Sequence, residues 1–325
     1  MNRRQLLINV SALCTAGVLP PASAQIQGNA FIISGFPAGG MGDFVARPLA
    51  EYLRGRYASN VLVEAKPGAG GRIAIEYVKR AAADGTVLLQ MPSSPMVLYP
   101  HTYRKLSYEP MTDFIPVTST VTYPIVFTAG PGLPAEIKNV KDYLDWAKAN
   151  PKQANYGVPA LGSALHFAGM LLERASGVEL KSVAYRGGAP LLQDLLGGQV
   201  PVSFNVLGEV LPHIRSGRLR ALAVANPARA TFLPEVLTLI EQGYKDIALS
   251  EHLGLYAPAR TPAETIRKLN TLVREALRAP EMIDSLAKNG LEPLHQSPED
   301  YLQLLQKATQ HWAQIAKTTG FTAED

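Results

Sequence analysis

The feature that most constrains the fold is an apolar run that leads through a glycine-rich loop into a helical pattern. The run is Phe31-Ile32-Ile33-Ser34, and the loop extends from Phe36 to Asp43. A strand, loop and helix in this order direct backbone N–H groups and the positive end of a helix dipole into one small space, which suits an anion. Asp43 begins the helical pattern, where its carboxylate can cap free N–H groups. By itself the loop fits a ligand site and an ordinary tight turn equally well, and it matches neither GxxxxGK[ST] nor GxGxxG.

The same order continues through the first quarter of the chain. Residues 60–64 are strand-like, residues 67–72 form a second glycine-rich turn before a helix, and residues 86–90 form a third strand. This βαβαβ order favours a parallel sheet with right-handed crossovers, and ligands bind beyond the carboxyl ends of such strands. The loops that we expect at that edge are Phe36–Asp43, Ala65–Arg72 and Met91–Met96.

A second strand, loop and helix occur in the other half of the chain, at residues 155–172. From residue 250 onward the chain returns to the first domain. We therefore predict an α/β protein of two domains, with a cleft and a hinge between them. Domain 1 comprises residues 25–122 and 250–325, and domain 2 comprises residues 123–249. Each domain offers a helix N-terminus to the cleft, so backbone N–H groups can hold a carboxylate ligand from both sides.

Residues 1–24 have the pattern of an export signal. Arg3-Arg4 precede an uncharged apolar run, and Ala22-Ser23-Ala24 is a small-residue cleavage site, so we expect cleavage near Ala24 and a periplasmic product. The paired arginines loosely resemble a twin-arginine signal, although ordinary secretion is favoured. Cys14 is the only cysteine, so the mature protein needs no disulfide and has no thiol chemistry.

Charge and histidine spacing exclude several classes of function. The net charge of +4 comes from 31 basic and 27 acidic residues without a basic cluster, so we expect no nucleic-acid partner. The six histidines have no metal-ligand spacing, and no GxSxG elbow is present, so we predict no metal, no cofactor and no catalytic residue. Ser163 and His166, three residues apart, leave an exported hydrolase as an alternative, and a ligand sensor for a membrane receptor is another.

Several segments together resemble the Bug-type family, the extracytoplasmic solute-binding proteins of tripartite tricarboxylate transporters. They include Phe36-Pro37-Ala38-Gly39-Gly40, Pro67-Gly68-Ala69-Gly70-Gly71, Tyr185-Arg186-Gly187-Gly188-Ala189-Pro190 and Gly254-Leu255-Tyr256-Ala257-Pro258. The resemblance covers nearly the whole mature chain. It implies a periplasmic Venus flytrap fold that captures a small carboxylate (a di- or tricarboxylate, an aromatic acid or an amino acid) for a membrane permease. We expect a monomer and no enzymatic activity.

The resemblance implies that the first loop and the segment from Gly157 to His166 cradle one carboxylate through backbone groups and ordered water. Departures from the family pattern suggest contacts to the rest of the ligand. Arg72 stands where the family often has Thr, and it fits a second ligand carboxylate and a solvated side chain equally well. Asn205 replaces a common Asp, and the role of His252 stays open. The predicted ligand-binding residues are Phe36, Pro37, Ala38, Gly39, Gly40, Gly42, Asp43, Arg72, Ser93, Ser94, Gly157, Leu161, Gly162, Ser163, His166, Tyr185, Arg186 and Asn205.

Overall fold

The structure is a computed structural model that describes residues 25–323. The predicted export signal, residues 1–24, lies outside the described residues. The chain first builds most of one lobe. Its elements there are β1 (Ile26–Ser34), α1 (Met41–Leu53), β2 (Ala58–Ala65), α2 (Arg72–Lys79), β3 (Val87–Pro92), α3 (Ser94–Val97), α4 (Tyr99–Thr102), α5 (Pro110–Asp113) and β4 (Phe114–Tyr123).

The chain then builds a second lobe and returns. The second lobe contains β5 (Ile125–Ala129), α6 (Val140–Ala149), β6 (Asn155–Val158), α7 (Ala164–Ser176), β7 (Lys181–Ala184), α8 (Gly188–Leu196), β8 (Val202–Val206), α9 (Leu207–Arg215) and β9 (Arg220–Val224). The returning elements are β10 (Glu251–Pro258), α10 (Ala263–Arg278), α11 (Pro280–Lys288), β11 (Glu292–Pro293) and α12 (Pro298–Thr319).

Each lobe is organised around one sheet. The first sheet has the order β11-β4-β10-β3-β1-β2, and the second has the order β7-β6-β8-β5-β9. β4 ends at Tyr123 and β5 begins at Ile125, so the chain crosses between the lobes at Pro124. The second crossing lies before Glu251, the first residue of β10. The cleft therefore lies beside the two crossings.

The predicted parallel pairing is confirmed for the three strands of the βαβαβ segment, β2, β1 and β3. β10 lies between β3 and β4 and is antiparallel to both. The reason is the double crossing: β4 carries the chain out of the first lobe, and β10 brings it back beside β4, so that Glu251 pairs with Tyr123. All eight residues of β10 are buried, as expected for an interior strand covered on both faces.

Amphipathic helices cover the sheets. In α1 the buried residues recur at helical spacing, and they are Met41, Val45, Ala46, Leu49, Ala50 and Leu53. The segment 97–116 contains the short helices α4 and α5 and the start of β4. Pro100 and Pro110 stand at the first turns of α4 and α5, where a missing N–H costs nothing. Within residues 25–323, no helix combines the length and apolar character needed to cross a membrane.

Candidate ligand-binding site

The two lobes enclose a cavity that we call the inner chamber. Its volume is about 60 Å³, room for about four water molecules. It is lined by Ser34, Phe36, Pro37, Gly40, Met41, Gly42, Gln90, Pro92, Ser94, Pro95, Tyr99, Tyr123, Pro159, Ala160, Ser163, Leu165, Gly188, Ala189, Val206, Glu209, Glu251 and Leu253. Because both lobes contribute, and because the space is smaller than a usual ligand site, a ligand has to part the lobes or displace a side chain.

The first glycine-rich loop forms one wall of the inner chamber. Gly40 is the residue before α1, and Met41 is the first helical residue. Asp43 lies within the first turn, where its Oδ2 accepts a hydrogen bond from the N–H of Gly39 at 2.7 Å and pairs with Arg47 at 3.0 Å. Asp43 thus braces the loop and does not itself line the inner chamber. Gly39 has φ +85, a left-handed conformation that glycine adopts without strain.

The helix N-terminus behind this loop already holds a carboxylate of the protein. The N–H of Met41 donates to Oε1 of Glu209, at 3.2 Å, across the cleft from α9. A Cβ at Gly188 would overlap Oε2 of the same side chain, so glycine at the start of α8 makes room for it. Glu209 therefore lies between the N-termini of α1 and α8, where two helix dipoles favour negative charge. This is the position that the sequence predicted for a ligand carboxylate.

Removal from water raises the pKa of Glu209 above the usual glutamate range, and the hydrogen bond from Met41 opposes this only in part. A raised pKa means that the folded protein holds a proton that the unfolded chain has already lost. The stability that this proton binding provides is complete at acidic pH and disappears as the pH rises through the folded-state pKa.

We therefore expect Glu209→Gln to gain stability over the wild type as the pH rises from about 5 to about 8. The glutamine oxygen can still accept the Met41 hydrogen bond but carries no charge. Melting temperatures across this range measure the effect, with the exposed Glu235→Gln as the matched control. A constant difference between Glu209→Gln and the wild type at every pH would contradict the expectation.

A second buried carboxylate links the lobes through a serine. Glu251, at the start of β10, is 1% exposed, and burial raises its pKa. Its Oε1 accepts from the hydroxyl of Ser94 at 2.6 Å, and its Oε2 accepts from the hydroxyl of Tyr123 at 3.0 Å. Ser94 Oγ in turn accepts from the N–H of Ala164, the first residue of α7, at 3.0 Å. The N-terminus of α7 is therefore joined across the cleft to Glu251.

A wider space, the outer chamber, adjoins the inner one. Its volume is about 280 Å³, and its lining includes Arg72, Leu161, Tyr185 and Arg186. The guanidinium of Arg72 lies 4.2 Å from the ring centre of Tyr103, and its Nε donates to the carbonyl of Ala69 at 3.1 Å. These contacts orient Arg72 at the start of α2, whereas Arg186 is exposed.

The structure places only part of the predicted ligand set along the two chambers. Phe36, Pro37, Gly40, Gly42, Ser94 and Ser163 line the inner chamber, and Arg72, Leu161, Tyr185 and Arg186 line the outer one. The remaining predicted residues line neither chamber, and they are Ala38, Gly39, Asp43, Ser93, Gly157, Gly162, His166 and Asn205. Direct ligand contact for this second group stays a prediction without support from the lining.

Three polar residues that we singled out are buried in packing positions. Burial lowers the pKa of both His166 and His252 to about 4. His166 accepts from the N–H of Gly162 at 3.2 Å, and the His252 ring packs against Tyr301. Asn205, on β8, accepts a hydrogen bond from Ser203. All three side chains lie away from the chambers because their strands and helices turn those faces toward the core.

Ser163 caps a helix. Its hydroxyl donates to the carbonyl of Ala160 at 2.8 Å, and its oxygen accepts from the N–H of His166 at 3.4 Å. Because Nδ1 of His166 binds the N–H of Gly162, the serine and histidine do not form a nucleophile–base pair. Within residues 25–323, no group of three or more His, Cys, Asp or Glu side chains is placed to hold a metal ion.

Sequence reasoning missed Glu209, Glu251 and Gln90. Glu209 comes directly after a strand, in the first turn of α9, and that position was the available signal. Sequence reasoning did not single out Glu251 because the segment that forms β10 has the pattern of a buried strand. An acidic side chain is rare in such a strand without a partner. Gln90, at 1% exposure, donates from Nε2 to the carbonyl of Gly42 at 2.8 Å, while its Oε1 is buried without a partner among the described residues.

Comparisons with known proteins agree with this architecture. The model of the tripartite tricarboxylate transporter family receptor matches residues 45–321. Protein BugT of Bordetella pertussis (strain Tohama I) is 32% identical over 324 residues, which cover 98% of this chain and 99% of BugT. The structure of the periplasmic binding protein BugD superimposes with a TM-score of 0.84 and 31% identity, over 92% of this chain and 99% of BugD.

Two similar structures contain ligands. R. palustris Rpa4515 with adipate has a TM-score of 0.85 and 30% identity, and the match covers 91% of this chain and 98% of that protein. MatC (Rpa3494) from Rhodopseudomonas palustris with bound malate has a TM-score of 0.82 and 26% identity, over 90% and 99% of the two chains. The predicted two-lobed α/β fold and family are thus confirmed. The chain belongs to the receptor family of the tripartite tricarboxylate transporters, whose members are periplasmic solute-binding proteins.

Proposed function

We propose that this chain captures a small carboxylate between its lobes and delivers it to the membrane permease of a tripartite tricarboxylate transporter. It acts as a monomer in the periplasm after removal of residues 1–24, and as a receptor rather than an enzyme. The observation that carries the proposal is the convergence of α1, α7 and α8 on one chamber, which residues at the start of each helix line. Helix N-termini from opposite lobes stabilise an anion only when the lobes are closed, which couples binding to closure.

Three further observations support a carboxylate ligand. Neither α1 nor α8 has a side-chain cap of its own, so their first N–H groups are available to a ligand or to Glu209. The outer chamber adds the cations of Arg72 and Arg186 at the same cleft. Relatives with adipate and malate bound share the fold over at least 90% of this chain. The two arginines give a carboxylate a favourable approach to the cleft.

Thermal denaturation tests the proposal. A ligand at about one hundred times its dissociation constant stabilises the folded protein by about 2.7 kcal/mol. For a chain of this size we expect the melting temperature to rise by about 5 °C. Protein purified without refolding should be dialysed extensively and then screened against mono- and dicarboxylates and amino acids, with calorimetry on every hit. If the whole panel produced neither a shift nor heat of binding, the proposed function would be overturned.

A further inference from the structure

The carboxyl group of Glu209 fills the space between the starts of two helices. Its Oε1 accepts a hydrogen bond from the N–H of Met41, the first residue of α1, at 3.2 Å. A Cβ on Gly40, the residue before α1, would come within 3.0 Å of the same oxygen, and a Cβ on Gly188, the first residue of α8, would overlap Oε2. Both carboxyl oxygens therefore lie against the backbone of a helix N-terminus.

A ligand carboxylate held by the same two helices needs the same position. Glu209 lines the inner chamber, whose volume of about 60 Å³ is small for a ligand site. The N–H of Met41 is directed at Oε1 of Glu209, and a second oxygen cannot reach it along that direction while Oε1 is in place. The side chain of Glu209 and a ligand carboxylate therefore exclude each other.

Fewer hydrogen bonds hold Glu209 than hold the other glutamate of the inner chamber. In the described part of the chain, the carboxyl group of Glu209 accepts a hydrogen bond from Met41 only, and this bond joins α9 of the second lobe to α1 of the first. Glu251 instead accepts from the hydroxyls of both Ser94 and Tyr123. Because one hydrogen bond contributes little net stability, Glu209 is the glutamate that a ligand can displace.

We propose that Glu209 is an internal competitor of the ligand: its carboxyl group occupies the ligand-carboxylate position between α1 and α8, and a ligand binds by displacing it. This inference rests on the proposed function and describes how that site is regulated. The apparent affinity is lowered for every carboxylate, because only molecules in which the position is free can bind.

The protonation state of Glu209 agrees with this role. Burial raises the pKa of its carboxyl group, but a protonated carboxyl still accepts the hydrogen bond from Met41 and still fills the space. A ligand carboxylate that carries a full negative charge gains more from the two helix dipoles than a neutral carboxyl does. The ligand can therefore replace Glu209 at the N-termini of α1 and α8.

Chemical rescue by acetate is the first test. Glu209→Ala deletes one methylene and one carboxyl group, which together have the heavy atoms of acetate. In sodium acetate, compared with sodium chloride at equal ionic strength, the melting temperature of Glu209→Ala should rise by about 2 °C or more, because acetate binds the folded protein at the vacated position. Wild-type protein and the exposed control Glu235→Ala should not respond. An equal acetate shift in all three proteins, or none in Glu209→Ala, would contradict the inference.

Calorimetry with adipate, L-malate and the rest of the carboxylate and amino-acid panel is the second test. Every acid that binds wild-type protein should bind Glu209→Ala at least about fivefold more tightly, as expected when one competing hydrogen bond is removed. Glu235→Ala should bind as the wild type does. Glu209→Gln keeps the length of the side chain and an oxygen for Met41, so its gain in affinity should be smaller than that of Glu209→Ala.

The calorimetric outcomes separate this inference from the proposed function. Unchanged or weaker binding by Glu209→Ala overturns the inference and leaves the proposed function standing. So does a gain in Glu209→Gln as large as that in Glu209→Ala, which would assign the effect to charge. Absence of binding by every compound, to wild type and variants alike, overturns the proposed function and the inference with it. Glu209→Ser also shortens the side chain, and it replaces Glu209→Ala if the alanine variant does not fold.

Discussion

Gly208→Ala should weaken ligand binding at least about tenfold, or by about 1.4 kcal/mol, without unfolding the protein. Gly208 is buried in the first turn of α9, on the second lobe, and faces the backbone of Asn289 on the first lobe. A Cβ at this position would collide with the carbonyl oxygen of Asn289, a backbone atom that cannot rotate away. Because each lobe has its own sheet, the collision is relieved by parting the lobes.

Small-angle scattering and calorimetry would measure this effect. The ligand-free variant should have a larger radius of gyration than the wild type, and the best ligand from the carboxylate panel should bind it more weakly. Gly197→Ala is the matched control, because Gly197 is exposed at the end of α8 and has an ordinary φ of −79. Wild-type affinity together with an unchanged radius of gyration would show that this contact does not govern closure.

Phe127→Ala should lower the free energy of unfolding by about 3–5 kcal/mol. Phe127 lies on β5, an interior strand of the second sheet, and is fully buried. Its ring stacks on Phe204 with centroids 4.6 Å apart and meets the edge of Tyr143 at 5.1 Å. Removal of the ring leaves a cavity and deletes both aromatic contacts.

Denaturant unfolding followed by circular dichroism tests this prediction. Ile283→Ala is the control, because Ile283 on α11 is 43% exposed and its truncation should change the free energy of unfolding by about 0.5 kcal/mol or less. If the two variants lost similar stability, Phe127 would not be the anchor of the second lobe. Since ligand binding needs both lobes, Phe127→Ala should also reduce the fraction of protein that responds to ligand.

Local patterns predicted most of the elements. The apolar run at residues 31–34 lies in β1, and the prolines at 262, 280 and 298 mark the starts of α10, α11 and α12 closely. These signals depend on neighbouring residues, because turn geometry and helical spacing are short-range properties. The direction of β10 was not predictable in this way, since it follows from the double crossing between the lobes.

Short-range patterns likewise predicted one part of the candidate site and missed another. The sequence identified the loop from Phe36 to Asp43 as a helix N-terminus suited to an anion, and its Gly40 and Gly42 do line the inner chamber. It did not reveal that Glu209 faces Met41, 168 positions away along the chain. The sequence also suggested His166 and Asn205 as ligand-binding residues. Their side chains face the core instead of the cleft.

By itself, the sequence determined the family, the two-lobed α/β fold and the helix N-termini available to a ligand. These follow from glycine-rich loops and apolar periodicity, which are patterns of residues close together in the chain. Only the tertiary structure decided the charge of the cleft. Closure of the lobes brings Glu209 from α9 and Glu251 from β10 around one chamber and leaves Arg72 and Arg186 outside it. Charges that are distant along the chain act together only when folding removes the water between them.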